Sequence, residues 1–233
     1  MKMPRVTVDR FAFERACWAE KKLLRVAGVD EAGRGPLAGP VVAATAVLPL
    51  EWDASGLPAA LVGLNDSKQL NEKQRELFFE YLTASNEIQF GVAIVDALTI
   101  DSINILQATH RAMNEALDQL EPSPEHVLVD GTLVRSLRYP QTAIVKGDAR
   151  SYSIAAASVL AKVTRDRLMK TFDREFPEYG FAEHKGYGTA RHLAALARVG
   201  PCHLHRRSFA PLKGSELDLF DRNPMSHGPL GKA

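Results

Sequence analysis

Two adjacent acids, Asp30 and Glu31, stand at the end of an apolar run and are followed at once by the turn Gly33-Arg34-Gly35. Glycines let the backbone N–H groups of a turn approach a ligand closely, and an arginine binds a phosphate through two parallel hydrogen bonds. Acids beside such a turn predict a divalent metal held next to a phosphate ester. The alternative is a tight hairpin whose acids are only solvated.

Two further acids follow apolar stretches, Asp130 before Gly131 and Asp148 after Lys146-Gly147. Ligands of open α/β sheets gather where strands end. Four carboxylates brought together there would repel one another unless divalent cations neutralised them. Carboxylate oxygens suit Mg²⁺ and Mn²⁺, and the sequence has no Cys/His cluster for zinc. A pair of such ions about 4 Å apart suits in-line attack of water on a phosphodiester.

One geometric condition applies to the prediction that Asp30, Glu31, Asp130 and Asp148 share a metal site. Neighbouring side chains of a regular strand point to opposite faces of the sheet. Asp30 and Glu31 can therefore converge only if their strand ends or twists at Glu31, which the turn containing Gly33 would allow.

Other positions suit a nucleic-acid partner. Ser67 and Lys68 offer a hydroxyl and a cation in a predicted loop, and Lys146 adds a second cation near the acids. Lys185 stands two residues before Tyr187, whose ring lies between two glycines and could stack on a base or a sugar. A half-buried loop tyrosine is the alternative.

Charge is distributed unevenly along a chain whose net charge is only +1. Residues 71–121 hold nine acids and three lysines or arginines, whereas residues 146–213 hold thirteen lysines or arginines and six acids. The basic half predicts a localised anion-binding face, with chance clustering on solvated helices as the alternative. Within it, residues 203–208 include two histidines and two arginines and could grip a phosphate; a solvated basic turn is the alternative.

Hydrophobic periodicity predicts an α/β framework for these residues. Apolar runs predict buried strands at 24–30, 41–48, 88–95, 127–130 and 142–145. Three-four apolar spacing and capping residues predict helices at 7–23, 71–84, 99–120, 151–176 and 189–199. The short link between the first two strands makes them antiparallel neighbours. The whole order predicts a five-stranded mixed sheet flanked by helices.

Side chains that favour helix starts mark the helix boundaries. Asn71 and Gln74 form a capping box for the second helix. Thr99 or Asp101 is predicted to cap the third helix. The apolar face of that helix carries His110, for which a hydrogen-bonded core position is favoured over a metal-ligand role.

The chain has 233 residues, of which 45% are hydrophobic and 24% charged, as in a soluble globular protein. We expect one domain over residues 1–213, with a helical C-terminal part at about 177–213, and a disordered tail at 214–233. Cys17 and Cys202 form no Cys-x-x-Cys pair and are predicted to be free thiols of a reducing compartment, with one disulfide as the alternative. No apolar run has the length of a signal peptide or a membrane span, so we expect a cytoplasmic protein without a membrane partner.

Several longer stretches of the chain resemble ribonuclease HII, the bacterial type 2 ribonuclease H. The matching motifs occur in the family's order and cover about residues 24–212. They are Gly28-Val-Asp-Glu-Ala-Gly-Arg-Gly-Pro-Leu-Ala-Gly-Pro40, Asp66-Ser-Lys-Gln-Leu70, Val129-Asp-Gly131, Lys146-Gly-Asp148, Ala155-Ala-Ala-Ser-Val-Leu-Ala-Lys-Val-Thr-Arg-Asp166, His184-Lys-Gly-Tyr187 and Arg206-Arg-Ser-Phe209.

This resemblance implies a ribonuclease H-like fold with a C-terminal helical extension. It implies an endonuclease that hydrolyses the RNA strand of RNA–DNA hybrids. It also implies cleavage on the 5′ side of ribonucleotides embedded in duplex DNA, leaving 3′-hydroxyl and 5′-phosphate ends. Two Mn²⁺ or Mg²⁺ ions in the substrate complex and a monomeric enzyme are expected on the same ground.

Site residues follow from the resemblance motif by motif. The four acids named above are carried over as the metal-binding and catalytic residues. Gly33, Arg34 and Gly35 match the turn that contacts the ribose 2′-hydroxyl and the adjacent phosphate. Tyr187 matches the tyrosine that senses the RNA-to-DNA junction by stacking on the following deoxyribose.

Three other function classes make different demands on the sequence. A non-catalytic hybrid-binding module would use the basic half alone and would gain nothing from four acids beside a phosphate. A Holliday-junction resolvase or transposase-type nuclease can share the fold and its acids, and it would cut all-DNA substrates. A phosphate-cradling kinase is disfavoured, because the glycine turn lacks the Gly-Lys-Ser/Thr ending of a P-loop and no predicted helix follows it.

Overall fold

The structure, a computed structural model, describes residues 9–214 and is built on a mixed five-stranded sheet. Its strands are β1 (Val26–Ala32), β2 (Val41–Val47), β3 (Gln89–Val95), β4 (His126–Asp130) and β5 (Gln141–Ile144). In the order β3-β2-β1-β4-β5, the pairs β3/β2 and β2/β1 are antiparallel, and β1/β4 and β4/β5 are parallel. The predicted fold class and all five strands are confirmed, with boundaries shifted by one or two residues.

Helices cover both faces of this sheet. They are α1 (Ala12–Arg15, continued by a π-helical turn at Ala16–Glu20), α2 (Trp52–Ser55), α3 (Glu72–Ala84), α4 (Ala97–Leu117), α5 (Tyr152–Glu175), α6 (Phe181–His184) and α7 (Ala190–Val199). Two 3₁₀ turns lie at Ala59–Leu61 and Gly147–Ala149. Helix α5 packs on one face of β1 and β2, and α4 packs on the other face of β2 and β3. Alternate residues of the inner strands therefore enter two different cores.

Helix α5 approaches the centre of the sheet unusually closely, because small residues meet at the contact. Gly28 of β1 lies against the first turn of α5, where a Cβ on Gly28 would stand 2.2 Å from the carbonyl carbon of Ser153. Ala155, Ala156 and Ala157, which follow in α5, are fully buried. This contact holds the start of α5 beside the carboxyl ends of β1 and β4.

The capping box predicted for α3 is confirmed, since the Asn71 side chain accepts from the Gln74 N–H and the Gln74 side chain accepts in return. The cap predicted for α4 was wrong. Asp96 caps that helix by accepting from the Thr99 N–H at 2.8 Å. The Asp101 carboxylate, inside the helix, instead accepts backbone hydrogen bonds from a C-terminal loop.

Helix α4 is interrupted at Asn104, whose backbone lies at φ 68 and ψ 163. The Asn104 side chain then caps the remainder of the helix by accepting from the Gln107 N–H at 3.1 Å. Because the interruption rotates the helix, Leu106 is exposed rather than part of a continuous apolar face. His110 is only half buried, and its Nδ1 lies 3.0 Å from the Ser136 hydroxyl, as expected of a hydrogen-bonded histidine.

The first helix is shorter than predicted, beginning at Ala12 rather than near residue 7. Phe11 and Trp18 are buried, whereas Arg15 points to solvent and pairs with Asp9 and Asp53. The first two residues of the predicted helix, 7 and 8, lie outside the described residues, as does the predicted tail beyond Gly214. Cys17 and Cys202 are free thiols, as predicted.

The C-terminal region forms a third apolar cluster on the second half of α5. Tyr179, Phe181, Leu204 and Leu212 pack there against Met169 of α5. The long helix is therefore shared between the sheet and the C-terminal region, and it fixes the distance between them.

The Gly28→Ala variant tests the close contact between β1 and α5. Its added methyl group would collide with backbone atoms, which cannot rotate away as a side chain would. We expect a loss of about 2 kcal/mol or more in the free energy of unfolding, measured by urea denaturation. Gly63→Ala, where a Cβ meets no atom within 4 Å, should lose less despite its positive φ. Equal losses in the two variants would contradict the packing argument.

Candidate active site

Three carboxylates meet at one edge of the sheet. Asp30 lies in β1, Asp130 ends β4, and Asp148 lies in the 3₁₀ turn that follows β5. One carboxylate oxygen from each can be chosen so that all three lie within 4.8 Å of one another. Because β1, β4 and β5 are parallel, their carboxyl ends share this edge, as the sequence predicted.

Backbone N–H groups hold two of these carboxylates in place. The Asp130 carboxylate accepts from the Gly147 N–H at 2.6 Å, which ties the end of β4 to the turn carrying Asp148. The Asp30 carboxylate accepts from the Glu31 N–H at 2.7 Å. A residue larger than glycine would be crowded at position 147, because its Cβ would stand 2.6 Å from the Ile154 side chain of α5.

The electrostatics of this acid group are unfavourable without a cation. Burial, with repulsion from Glu31 and Asp130, raises the pKa of Asp30 well above its usual range. Burial and the Asp130 charge raise the pKa of Asp148 to about 6. Burial by itself lowers the pKa of Lys68, but the charges of Asp30 and the neighbouring acids have a larger effect and raise that pKa overall. The group thus attracts positive charge.

Glu31 lies outside the group of three carboxylates that come within 4.8 Å of one another. Strand β1 continues through Ala32, and Glu31 keeps a regular pairing with Ala43. The predicted end of the strand at Glu31 was therefore wrong. The Glu31 carboxylate lies 3.3 Å from the Arg34 guanidinium and lines the same pocket as Asp30. Burial raises the pKa of Glu31, and Arg34 opposes this shift.

The glycine turn is held from beneath by Arg165 and Arg206, both almost fully buried. Arg165 donates to the carbonyls of Pro40, Ala38 and Lys185, at 2.9, 3.1 and 3.0 Å. Arg206 donates to the carbonyls of Gly39, Arg34 and Gly33, at 3.0, 2.9 and 2.6 Å. In the part of the chain that the structure describes, every hydrogen bond from these guanidinium groups goes to a backbone carbonyl.

These contacts correct the prediction of a phosphate grip at residues 203–208, because Arg206 faces inward. Burial lowers the pKa of Arg165 to about 10, and burial with the Arg165 charge lowers that of Arg206 to about 9, so both stay charged at neutral pH. Gly33 has φ +93 and a Cβ there would overlap Arg165, so only glycine fits. The two cations thus fix the course of the turn.

The ring of Tyr187 stands beside this turn. It is 48% exposed, and its Cε1 lies 3.7 Å from where a Cβ of Gly35 would be. The preceding residue, Gly186, accepts from the Leu37 N–H at 2.8 Å, which joins the tyrosine segment to the turn. The ring therefore faces solvent at the mouth of the pocket.

A pocket of about 260 Å³ joins these features. Its lining is Asp30, Glu31, Ala32, Gly33, Arg34, Gly35, Ser67, Lys68, Lys162, Arg165 and Tyr187. Most of the predicted site residues thus line one cavity. Asp130 and Asp148 are not part of the lining, but their carboxylates lie next to that of Asp30, which is.

Two predicted nucleic-acid contacts are absent from this lining within the described chain. Lys146 is exposed, directly before the turn that carries Asp148, and does not line the pocket. The Lys185 ammonium donates to the Ala182 carbonyl instead. Sequence reasoning missed Lys162 and Arg165, although their spacing of three places them on one face of α5. That spacing was the available signal.

The acid group fits a hard divalent cation. Its donors are carboxylate oxygens, which Mg²⁺ and Mn²⁺ prefer, and the buried charges lack a cationic partner in hydrogen-bonding contact among the described residues. Asp30, Asp130 and Asp148 would hold the ion. Lys68 lies near enough to influence them but leaves their repulsion uncompensated, as the raised pKa of Asp148 indicates.

Comparison with known proteins agrees with this site. The family model for ribonuclease HII matches residues 27–212. A ribonuclease HII of Syntrophotalea carbinolica is 55% identical over 185 residues, covering 79% of this chain and 85% of that protein. One of Geobacter metallireducens is 51% identical over 206 residues, covering 86% and 93%. The crystal structure of ribonuclease H2 from Pyrococcus horikoshii superposes with a TM-score of 0.66 at 28% identity, covering 86% of this chain and all of that one.

The mixed sheet and its acidic edge define an enzyme of the ribonuclease H class. Within that class, the chain belongs to the ribonuclease HII family. Its relatives match from β1 to the C-terminal cluster, so the third cluster is part of the family's structure. None of the described helices combines the length and the apolar composition needed to cross a bilayer.

The Asp148→Asn variant tests the electrostatic cost of the acid group. Because the folded-state pKa of Asp148 is raised to about 6, the metal-free folded protein binds protons more tightly than the unfolded chain. Its stability is highest below the unfolded pKa of about 4 and falls as pH rises to about 6. At pH 8 in EDTA, we expect the variant to melt several degrees higher than wild type, a gain of about 2 kcal/mol.

At pH 4 this gain should disappear, since wild-type Asp148 is then protonated. Asp118→Asn, which removes an exposed carboxylate paired with Arg138, is the control and should show no such pH-dependent gain. Added Mg²⁺ should raise the melting temperature of wild type more than that of Asp148→Asn. A variant less stable than wild type at pH 8 in EDTA would contradict the argument.

Proposed function

We propose that this enzyme hydrolyses the RNA strand of RNA–DNA hybrids and cuts on the 5′ side of ribonucleotides embedded in duplex DNA. One observation carries the proposal: Asp30 of the acid group, the glycine turn and the exposed ring of Tyr187 line one pocket. This arrangement supports cleavage of a phosphodiester next to a sugar that the turn would contact. The name shared by the relatives, a ribonuclease, supports RNA as the strand that is cut.

Asp30, Asp130 and Asp148 would hold Mn²⁺ or Mg²⁺, with Glu31 as the fourth acid at the side of the pocket. Two bound divalent ions would activate the attacking water and stabilise the leaving oxygen. Attack on phosphorus breaks the P–O3′ bond, so the upstream strand keeps a 3′-hydroxyl and the ribonucleotide keeps a 5′-phosphate. Because the pKa values of Asp30 and Asp148 are raised and protonated carboxylates bind metals poorly, metal binding should be stronger at neutral than at acidic pH.

The turn Gly33-Arg34-Gly35 would test the sugar. The 2′-hydroxyl is the group that distinguishes RNA from DNA at a single nucleotide. Glycine removes the side chain between the backbone and that hydroxyl, and Arg165 and Arg206 hold the backbone in one conformation. Arg34, which is exposed beside Glu31, would meet the adjacent phosphate.

Tyr187 would read the next nucleotide. Its exposed ring faces the pocket mouth beside Gly35, where an aromatic face can stack on a deoxyribose. The cations Lys68 and Lys162 on the pocket wall would meet backbone phosphates, so affinity should fall with rising salt.

The Asp30→Asn variant tests the catalytic role of the acid group. The substrate is a duplex containing one ribonucleotide, with Mg²⁺ present. We expect the rate of cleavage to fall on the order of a thousandfold, because the variant loses a metal ligand worth several kcal/mol of transition-state stabilisation. Glu76→Gln, which breaks a surface ion pair with Arg167, should cleave at the wild-type rate. Wild-type activity in Asp30→Asn would refute the metal-site assignment. Cutting of all-DNA duplex by the wild-type enzyme at equal concentration would favour a resolvase-type activity instead.

The Tyr187→Ala variant tests recognition of the junction. We expect kcat/KM to fall roughly 5- to 100-fold more on a single embedded ribonucleotide than on a continuous hybrid, since one stacking contact is worth about 1–3 kcal/mol. Tyr187→Phe keeps the ring and should stay near wild type on both substrates. Equal losses on the two substrates would count against a junction-sensing role.

A further inference from the structure

Three buried histidines lie directly beneath the segment that carries Tyr187. They are His184 at the end of α6, His192 in α7 and His205 in the C-terminal loop. The rings of His184 and His192 stack with centroids 4.5 Å apart, and Nε2 of His192 lies 3.0 Å from Nε2 of His205. We call these three residues the histidine network. None of them lines the catalytic pocket described above.

The hydrogen bonds define which nitrogens of the linked pair carry protons. Nδ1 of His192 lies 2.9 Å from the Tyr187 carbonyl, which can only accept, so this nitrogen carries a proton. Nε2 of a neutral His192 must then accept, and Nε2 of His205 donates to it. Nδ1 of His205 in turn accepts the Cys202 N–H at 3.0 Å, and the Cys202 sulfur and carbonyl oxygen both lie farther from that nitrogen, at 3.3 Å. When both rings are neutral, one proton arrangement satisfies the bond to the Tyr187 carbonyl, the bond between the two rings and the bond from the Cys202 N–H.

The same argument holds for His184. Its Nε2 lies 2.9 Å from the Tyr179 carbonyl and donates to it, whereas its Nδ1 accepts the Gly186 N–H at 3.2 Å. All six ring nitrogens of the network therefore have hydrogen-bond partners, and no lone pair is left for a metal ion. Burial lowers the pKa of His205 to about 4 and also lowers that of His192, which keeps both rings neutral as the bonds require.

The network fixes the backbone on both sides of the Tyr187 side chain. The Tyr187 N–H donates to the His184 carbonyl at 2.9 Å, and the Tyr187 carbonyl accepts from the His192 ring and from the Thr189 N–H at 2.8 Å. The side chain itself is exposed. A fully bonded backbone fixes the direction in which the exposed Tyr187 side chain leaves the main chain, which lowers the entropy cost of stacking its ring on a ligand.

We propose that His192 and His205 are positioning residues that set the direction of the Tyr187 ring and thereby determine the preference for RNA-to-DNA junctions. This inference rests on the proposed function of Tyr187. His192 acts by donating to the Tyr187 carbonyl, and His205 acts by holding His192 in the tautomer that can donate. The histidine network thus belongs to substrate discrimination and not to the hydrolytic step.

The test compares kcat/KM on a duplex with one embedded ribonucleotide with kcat/KM on a continuous RNA–DNA hybrid. We call their quotient the junction ratio. For His192→Leu we expect the junction ratio to fall about tenfold, because a misdirected ring loses most of one stacking contact. His192→Asn should recover most of the ratio, since its amide nitrogen can take the place of Nδ1 and donate to the Tyr187 carbonyl.

A double-mutant cycle separates positioning from general destabilisation. In the Tyr187→Ala background, His192→Leu should lower the junction ratio no further, because no ring is left to direct. His126→Leu is the matched control: His126 is a buried histidine of β4 bonded to the Thr142 hydroxyl at 2.9 Å. It should lower the melting temperature and leave the junction ratio unchanged.

The outcomes distinguish this inference from the proposed function. A fall in the ratio for Tyr187→Ala with an unchanged ratio for His192→Leu overturns the positioning role alone, as do additive losses in the cycle. An unchanged ratio for Tyr187→Ala overturns the junction-sensing function and the inference with it. If His192→Leu fails to fold, His205→Leu takes its place in the cycle, with a smaller fall expected in the same direction.

Discussion

Repulsion among the carboxylates of Asp30, Asp130 and Asp148 is the constraint on which the site depends. The three acids are brought together because β1, β4 and β5 are parallel and end at one edge. The raised pKa values of Asp30 and Asp148 indicate that the fold holds these two acids at a cost in the absence of a cation. The surrounding structure holds the acids together despite this cost. Helix α5 packs closely against Gly28, and the Gly147 N–H donates to the Asp130 carboxylate. A stable scaffold thus maintains a site that is incomplete without metal.

Buried positive charge stands opposite this acid group. Arg165 and Arg206 donate their hydrogen bonds to the carbonyls of the glycine turn and its neighbours, which fixes the course of the turn. Arg165 also donates to the Lys185 carbonyl, so one guanidinium group joins the turn to the Tyr187 segment. The acid group and the surface proposed to recognise the sugar are thereby connected by the same buried arginines.

The C-terminal cluster extends this framework to the outer edge of the pocket. It shares α5 with the sheet, and its histidine network ends at the Tyr187 carbonyl. The family match runs from β1 to this cluster, as expected if the enzyme needs both parts. Neutral, fully bonded histidines suit such a role, because each ring nitrogen constrains one direction without placing a charge beside the buried arginines.

Much of the fold and the acid group could be predicted from local sequence, because strand runs, capping residues and acids at strand ends are local signals. Asn71 and Gln74, the five strands, and the meeting of Asp30 with Asp130 and Asp148 follow from such signals. Tertiary structure decided the rest. Glu31 stays in a regular strand and pairs with Arg34, and Arg206 faces inward although its neighbours suggest a basic surface. Their placement depends on which backbone carbonyls and charges other segments bring near, and no local pattern encodes those contacts.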